Sequence, residues 1–289
     1  MSTRCPYPGC EWKEESRPYA RQGTPSVTSI IAMANLGEKD RKFAWAAAEI
    51  AAVTAVHKGE DWTNLGAVGC SGSHKVEPGL CAACRFIRSE FDRQWRAKAA
   101  LGAHVHHLAA SWAAGEEVRC EREIDPYLDG LELWYKTYNP TWLYLERTIS
   151  YRTKAHEYVG TFDATAVIDC PLCPADENGP ARCTWLLDIK TGEGKWWTEW
   201  ALQLSAYAYS KYLTTWKDGK EHKESSMPRV AHAGVIWVQP GEALLLPVEI
   251  SAETHNTFLR LLDVAGWERR FEKSLVKQTV PEVVHTAVP

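Results

Sequence analysis

The sequence predicts an α/β fold, a central mixed β-sheet flanked by helices and carrying cysteine-rich insertions. Three observations predict it. First, Trp142 to Ser150, Val159 to Asp169 and Thr184 to Thr191 follow one another as segments rich in β-branched and aromatic residues, the composition of strands. Second, runs of helical character precede them (Cys84 to Ala99, Leu101 to Ala114) and follow them (Glu199 to Thr215). Third, the last strand drives from apolar residues into Asp188-Ile189-Lys190 and a Thr191-Gly192 turn. Residues i and i+2 of a strand share a face, so Asp188 and Lys190 sit side by side at the end of a buried strand. Such charges are costly unless they pair with each other or with a metal.

The elements follow in order. Residues 1–24 are polar, contain Pro and Gly, and form a separate N-terminal cysteine-containing segment. Residues 25–289 form one elaborated domain, long enough to bury a sizeable core. Val27 to Asn35 starts a helix. Lys39 to His57 continues as a longer one, with Ala-rich packing positions broken by Glu49. Residues 58–85 are a Cys/His insertion. After the helical runs to Ala114, Glu116 to Gly130 reads mostly as connection, with room for a short strand or helix. The strands ending at Asp169 and beginning at Thr184 flank a polar hairpin that spans Cys170 to Cys183. Val230 to Val238 and Ala243 to Ile250 are two further strands. Ser251, with Glu253 in its first turn, opens a helix that runs to about Lys277. No internal repeat is visible.

Net charge is −4, which argues against a tight non-specific DNA-coating protein. A local groove needs fewer cations, and Arg147, Arg152, Lys154, Lys190 and Lys195 flank the charged strand ends; for most of them a solvated surface is the alternative. Of the 14 tryptophans, most read as core. Trp196 and Trp197 follow a Gly-rich turn, where an aromatic face can stack on a base. The N-terminus shows no secretory apolar region, and no apolar run approaches a membrane span. The expectation is a cytoplasmic protein without membrane contact.

A cytoplasmic setting calls for a use of the nine cysteines other than disulfides. Cys70-x3-His74-x6-Cys81-x2-Cys84 has the donors and spacing of a tetrahedral structural zinc site. Cys170-x2-Cys173-x9-Cys183 supplies three more donors and needs a fourth from elsewhere. Cys5 and Cys10 resemble a metal knuckle that supplies two. The pairing stays open: Cys5 and Cys10 can join Cys81 and Cys84, or contribute with the Cys170 group to a second zinc. Free buried thiols are the bland alternative.

Four short patterns occur in register: Gly102-Ala-His-Val-His106 opening a helical run, Gly160-Thr-Phe-Asp163 on a strand, Asp188-Ile-Lys190 on the next, and Gln203-Leu-Ser-Ala-Tyr207 on the following helix. Together they resemble the RecB-like branch of the PD-(D/E)xK nuclease superfamily, which includes phage and CRISPR-associated exonucleases. The opening Pro25-Ser-Val-Thr-Ser-Ile-Ile31 is also similar to that branch's phage members, and the resemblance spans roughly residues 25–240. It implies a restriction-endonuclease-like core. It implies Mg²⁺ or Mn²⁺ bound by Asp163, Asp188, the Ile189 carbonyl and His106. It gives Lys190 the role of orienting or deprotonating the attacking water, or of stabilising transition-state charge. Gln203 and Tyr207 would brace the site or touch a DNA phosphate. Relatives with an iron–sulfur cluster carry three cysteines near the C-terminus. This chain has none after Cys183, so that cofactor is disfavoured.

The implied activity is metal-dependent DNA hydrolysis in phage or bacterial recombination, replication or repair, exonuclease being favoured over endonuclease. No helicase motif such as a Walker A loop is visible. The implied partners are therefore DNA and a helicase, a recombinase or further copies of the chain. The alternative is a catalytically inactive, zinc-stabilised nucleic-acid-binding or interaction protein on the same fold. Each residue also has a plain structural reading: Asp188 with Lys190 as an ion pair, His106 as a core histidine beside His104 and His107, Gln203 and Tyr207 as packing. Glu146, in Tyr144-Leu-Glu-Arg147, reads equally as a ligand, a second-layer residue or a surface residue.

Overall fold

Two long strands, β1 (Thr141–Arg152) and β2 (Glu157–Asp169), pair antiparallel, and the rest of the sheet grows outward from them. A computed structural model of the chain describes residues 24–33, 82–116, 124–177, 179–192, 197–217 and 220–276. On one side β4 (Tyr212–Lys217) and β5 (Lys220–Ser226) extend the sheet. On the other side are β3 (Arg182–Lys190), β6 (His232–Gln239) and β7 (Glu242–Val248), giving the order β5-β4-β1-β2-β3-β6-β7. β3 and β6 pair parallel, and all other neighbours are antiparallel, so the sheet is mixed as expected. Parallel neighbours need a long crossover. Here it contains helix α4 (Trp197–Ala208) and the β4–β5 hairpin.

Helices cover both faces. Helices α1 (Val27–Met33), α4 and α5 (Ala252–Val276) pack on one, around Tyr158, Phe162, Leu186, Val235 and Phe258. Helices α2 (Ala82–Ala113) and α3 (Asp125–Tyr138) pack on the other, around Ala164, Ile168, Trp185, Leu187 and Ile236. The central strands are buried on both sides, which accounts for their long apolar runs. Among the described residues, no helix is long and apolar enough to cross a membrane.

Three expectations change. Residues assigned to a connection over Glu116 to Gly130 include the start of α3, which runs on to Tyr138. Pro126 occupies its first turn, where a missing N–H costs nothing, and Leu131 and Trp134 are buried on one stripe. The helix expected to reach Thr215 stops at Ala208. The Ser210 hydroxyl donates to the Tyr207 carbonyl, and Lys211 N donates to Ser150 O, which starts β4 against β1. The aromatic and β-branched residues from Tyr212 to Trp216 favour the strand once that edge is offered. The two helical runs placed either side of Ala100 form one helix, α2. The helix expected over Lys39 to His57, residues 58–81 of the expected Cys/His insertion with Cys70, His74 and Cys81, and Cys5 and Cys10 lie outside the described residues. Cys84 falls at the start of α2, its side chain likewise outside them.

Candidate metal centre

The site forms where β2 and β3 part. Their ladder runs from Asp169↔Arg182 to Ala164↔Leu187, while β3 stays paired to β6 as far as Lys190↔Trp237. Beyond Ala164 the Asp163 side chain takes over the ladder's role: the Ile189 amide donates to Asp163 Oδ2 at 2.7 Å. Strand β2 also rolls at this point. Phe162 and Ala164 would share a face in a regular strand, yet they enter opposite core layers. Directly across, the β1–β2 pairing steps from Leu145↔Ala164 to Arg147↔Phe162, and Glu146 between them has φ 47°. A left-handed glutamate inside a strand is strained, and strain of this kind concentrates at functional sites.

Helix α2 brings His106. A Cβ on Gly102, one turn earlier, would lie 3.0 Å from Thr191 Oγ1, so the glycine lets the helix settle on the end of β3. His106 Nδ1 then lies 3.3 Å from Asp163 Oδ2. Donor atoms of His106, Glu146 and Asp163 all fall within 4.8 Å of one another. His104 is instead buried, and burial together with His107 lowers its pKa.

Asp188 is 2% exposed. Its Oδ1 accepts from Gln203 Nε2 at 2.9 Å, and the same amide nitrogen lies 3.2 Å from Tyr207 Oη. Its Oδ2 is paired with the Lys190 ammonium. Tyr207 is itself buried against Gly160, where a Cβ would come within 2.6 Å of the ring. The two motif glycines thus have one use each, the close approach of an element that carries a site residue.

Charge separates the two acids. Burial works to raise Asp163, but the charge and hydrogen bond of His106, with Lys190 and the Ile189 amide, outweigh it and hold the carboxyl down to about 2. Burial likewise opposes protonation of His106, and Asp163 overrides it, raising the imidazole pKa. Asp188 is raised, first by burial and then by the neighbouring Asp163, against the pull of Lys190. Carboxylate oxygens of Glu146 and Asp163 with the His106 imidazole, all within 4.8 Å of one another, are hard and borderline donors of the kind a divalent cation takes. The residues present therefore fit Mg²⁺ or Mn²⁺.

Of the residues selected from sequence, the structure gathers His106, Asp163, Asp188, Lys190, Gln203 and Tyr207 around one strand end. Ile189 contributes its amide to Asp163. Glu146, left open by the sequence, joins His106 and Asp163; its register opposite Asp163 across the β1–β2 hairpin was the available signal. Two of the flanking cations are engaged in ion pairs outside the cluster. Arg147 pairs with Glu224, and Arg152 with Glu157 and Glu221. Trp197 is exposed and meets Trp200 edge-on at 5.3 Å. Lys195 and Trp196 lie outside the described residues.

At the opposite end of β2 and β3, Cys170, Cys173 and Cys183 gather, as their spacing suggested, and His232 at the start of β6 completes a group of four. His232 was not selected from sequence; nothing in its local context marks it. A scan of protein-family models finds no match to this chain, and a search of curated proteins finds no significantly similar sequence.

Proposed function

We propose that the protein is a metal-dependent deoxyribonuclease, an exonuclease on a restriction-endonuclease-like core. The observation that carries this reading is the convergence of Asp163, Asp188, Lys190 and His106 where β2 and β3 part. His106, Glu146, Asp163 and Asp188, with the Ile189 carbonyl, would hold the ion. Mg²⁺ or Mn²⁺ in such a site lowers the pKa of a bound water and offsets charge on a phosphoryl oxygen. The chain's own groups do the rest. Lys190 carries an ammonium beside Asp188 and directs positive charge to where phosphate charge develops. Gln203 fixes the Asp188 carboxylate, and Tyr207 fixes Gln203. His106 stands 3.3 Å from Asp163, the acid that would share the ion with it.

The reading extends to a cytoplasmic enzyme of a bacterial or phage-infected cell, acting on DNA with a helicase, a recombinase or its own copies. A strained Glu146 beside the His106–Asp163 pair favours a working site over an inactive binding module. Incubation of the pure chain with end-labelled single- and double-stranded DNA tests it. Hydrolysis in Mg²⁺ or Mn²⁺, abolished by EDTA, is expected. No hydrolysis of either substrate in either metal would leave the binding-module reading.

A further inference from the structure

We propose that Cys170, Cys173, Cys183 and His232 bind a single zinc ion that clips the β2–β3 hairpin to the start of β6. Unlike the hydrolytic reading, on which it does not depend, this site uses soft donors. Cys173 Sγ lies 3.4 Å from Cys183 Sγ and 3.6 Å from His232 Nε2, and all four donor atoms lie within 4.8 Å of one another. A tetrahedral zinc with Zn–S of about 2.3 Å and Zn–N of about 2.0–2.1 Å needs donor–donor separations of about 3.5–3.8 Å. The side chains already stand near that arrangement.

Other uses of the residues fit less well. A disulfide would have to draw Cys173 and Cys183 to an S–S distance of about 2.05 Å, and it would leave Cys170 and His232 without a role. An iron–sulfur cluster spreads its ligands over separate iron atoms, which donors this close together do not span. Packing as small hydrophobes accounts for part of the group, since Cys170 lies in the core layer with Ile168 and Trp185 and the other two thiols pack against it, but it gives no reason for the His232 imidazole nitrogen to stand 3.6 Å from Cys173 Sγ. Three thiols with one imidazole select zinc over Mg²⁺ or Ca²⁺.

The position in the sheet supplies a purpose. The Cys170 amide donates to Ala181 O at 2.7 Å and closes the hairpin. His232 pairs with Trp185 as the first rung of the parallel β3–β6 ladder, and their rings pack at 5.0 Å. That rung is reached only after the long crossover of residues 191–231, whose closure is entropically unfavourable. A metal cross-link at this point holds β6 in register. Asp188 lies five positions beyond Cys183 along β3, on the order of 16 Å at about 3.3 Å per residue, so this is not the hydrolytic ion's site.

The test measures zinc per chain in the full-length protein and in Cys173→Ser and His232→Ala, with Cys70→Ser as the control for the other cysteine group. Loss of one equivalent in each of the first two variants, with those two donors still in place in Cys70→Ser, is expected. Cobalt substituted into wild type should show thiolate charge-transfer and tetrahedral visible bands that Cys173→Ser reduces. Should either variant fail to fold, alkylation of the wild-type chain with and without chelator gives the same decision. Cys170, Cys173 and Cys183 should be protected until zinc is removed. Unchanged zinc in both variants, equal alkylation in both states, or a Cys173–Cys183 disulfide would overturn the proposal.

Discussion

Strands β2 and β3 carry a polar cluster at each end, and the two ends differ in every property that selects a metal. At one end the donors are carboxylates and an imidazole, the strands have parted, and Asp163 substitutes for a ladder bond. At the other end the donors are three thiols and an imidazole, and the Cys170 amide bond to Ala181 O closes the base of the loop that joins the strands. Hard donors where two strands have parted suit a cation that must exchange water and substrate. Soft donors in a closed loop suit an ion that stays. One sheet can hold both because the sites sit at opposite ends of the same rigid strands.

The largest expected effect breaks the first end alone. Asp163→Ala and Lys190→Ala should each lower DNA hydrolysis by about a thousandfold or more, as loss of a transition-state group does. Asp163→Ala should also lose Mn²⁺ binding in a calorimetric titration, and Lys190→Ala should keep it. The double variant should be no slower than the worse single one, because the residues act as a unit. An additive double variant would argue for two separate sites.

Breaking the other end should change stability. Zinc removal or Cys173→Ser should lower the melting temperature by roughly 5–10 °C, from about 2–3 kcal/mol at about 2–4 °C per kcal/mol for a domain of this size. The fraction that stays folded should retain its hydrolytic rate within about twofold, since Cys183 and Asp188 lie on the order of 16 Å apart along β3 and share no partner. A melting temperature unchanged by chelation would remove the clip.

Histidine offers a finer comparison. His106→Ala should weaken Mn²⁺ binding on the order of ten- to a hundredfold, within the range seen when a group supporting a metal site is removed, with little change in melting temperature. If stability falls and metal affinity holds, His106 is a packing residue.

The smallest effect concerns His255, which belongs to neither donor cluster. It is buried, its Nε2 lies 2.9 Å from Tyr158 Oη, and that hydroxyl donates to Ala206 O at 2.8 Å. Burial, with His156 nearby, lowers His255 to about 4. Its folded pKa lies below the unfolded value of about 6.5, so its contribution is intact above pH 6.5 and is lost as pH falls towards 4. His255→Gln should flatten the decline in melting temperature between those values. An unchanged slope would mean other groups set it.

The acid end was largely legible in the sequence, because strand periodicity places Asp188 beside Lys190, and helical spacing places Gln203 beside Tyr207. The glycines at 102 and 160 were legible as motif members, and the structure supplies their physical reason. Glu146 was only half legible: its role depends on a positive φ and a roll of the strand, neither of which has a composition signal. The thiol end was legible in its three cysteines but not in His232, because a parallel pairing across forty residues of crossover brings it there. Strands β4 and β5 were missed for a related reason. Tyr212 to Trp216 continue a helical pattern locally and become a strand only because β1 offers an open edge.

The most direct test of the hydrolytic reading is the rate at which purified, folded Asp188→Ala protein degrades end-labelled DNA in Mg²⁺, beside wild type and Cys173→Ser at equal folded concentration. The expected result is a rate near background for Asp188→Ala and near wild type for Cys173→Ser. Degradation by Asp188→Ala at the wild-type rate would contradict the account and assign any activity to another site.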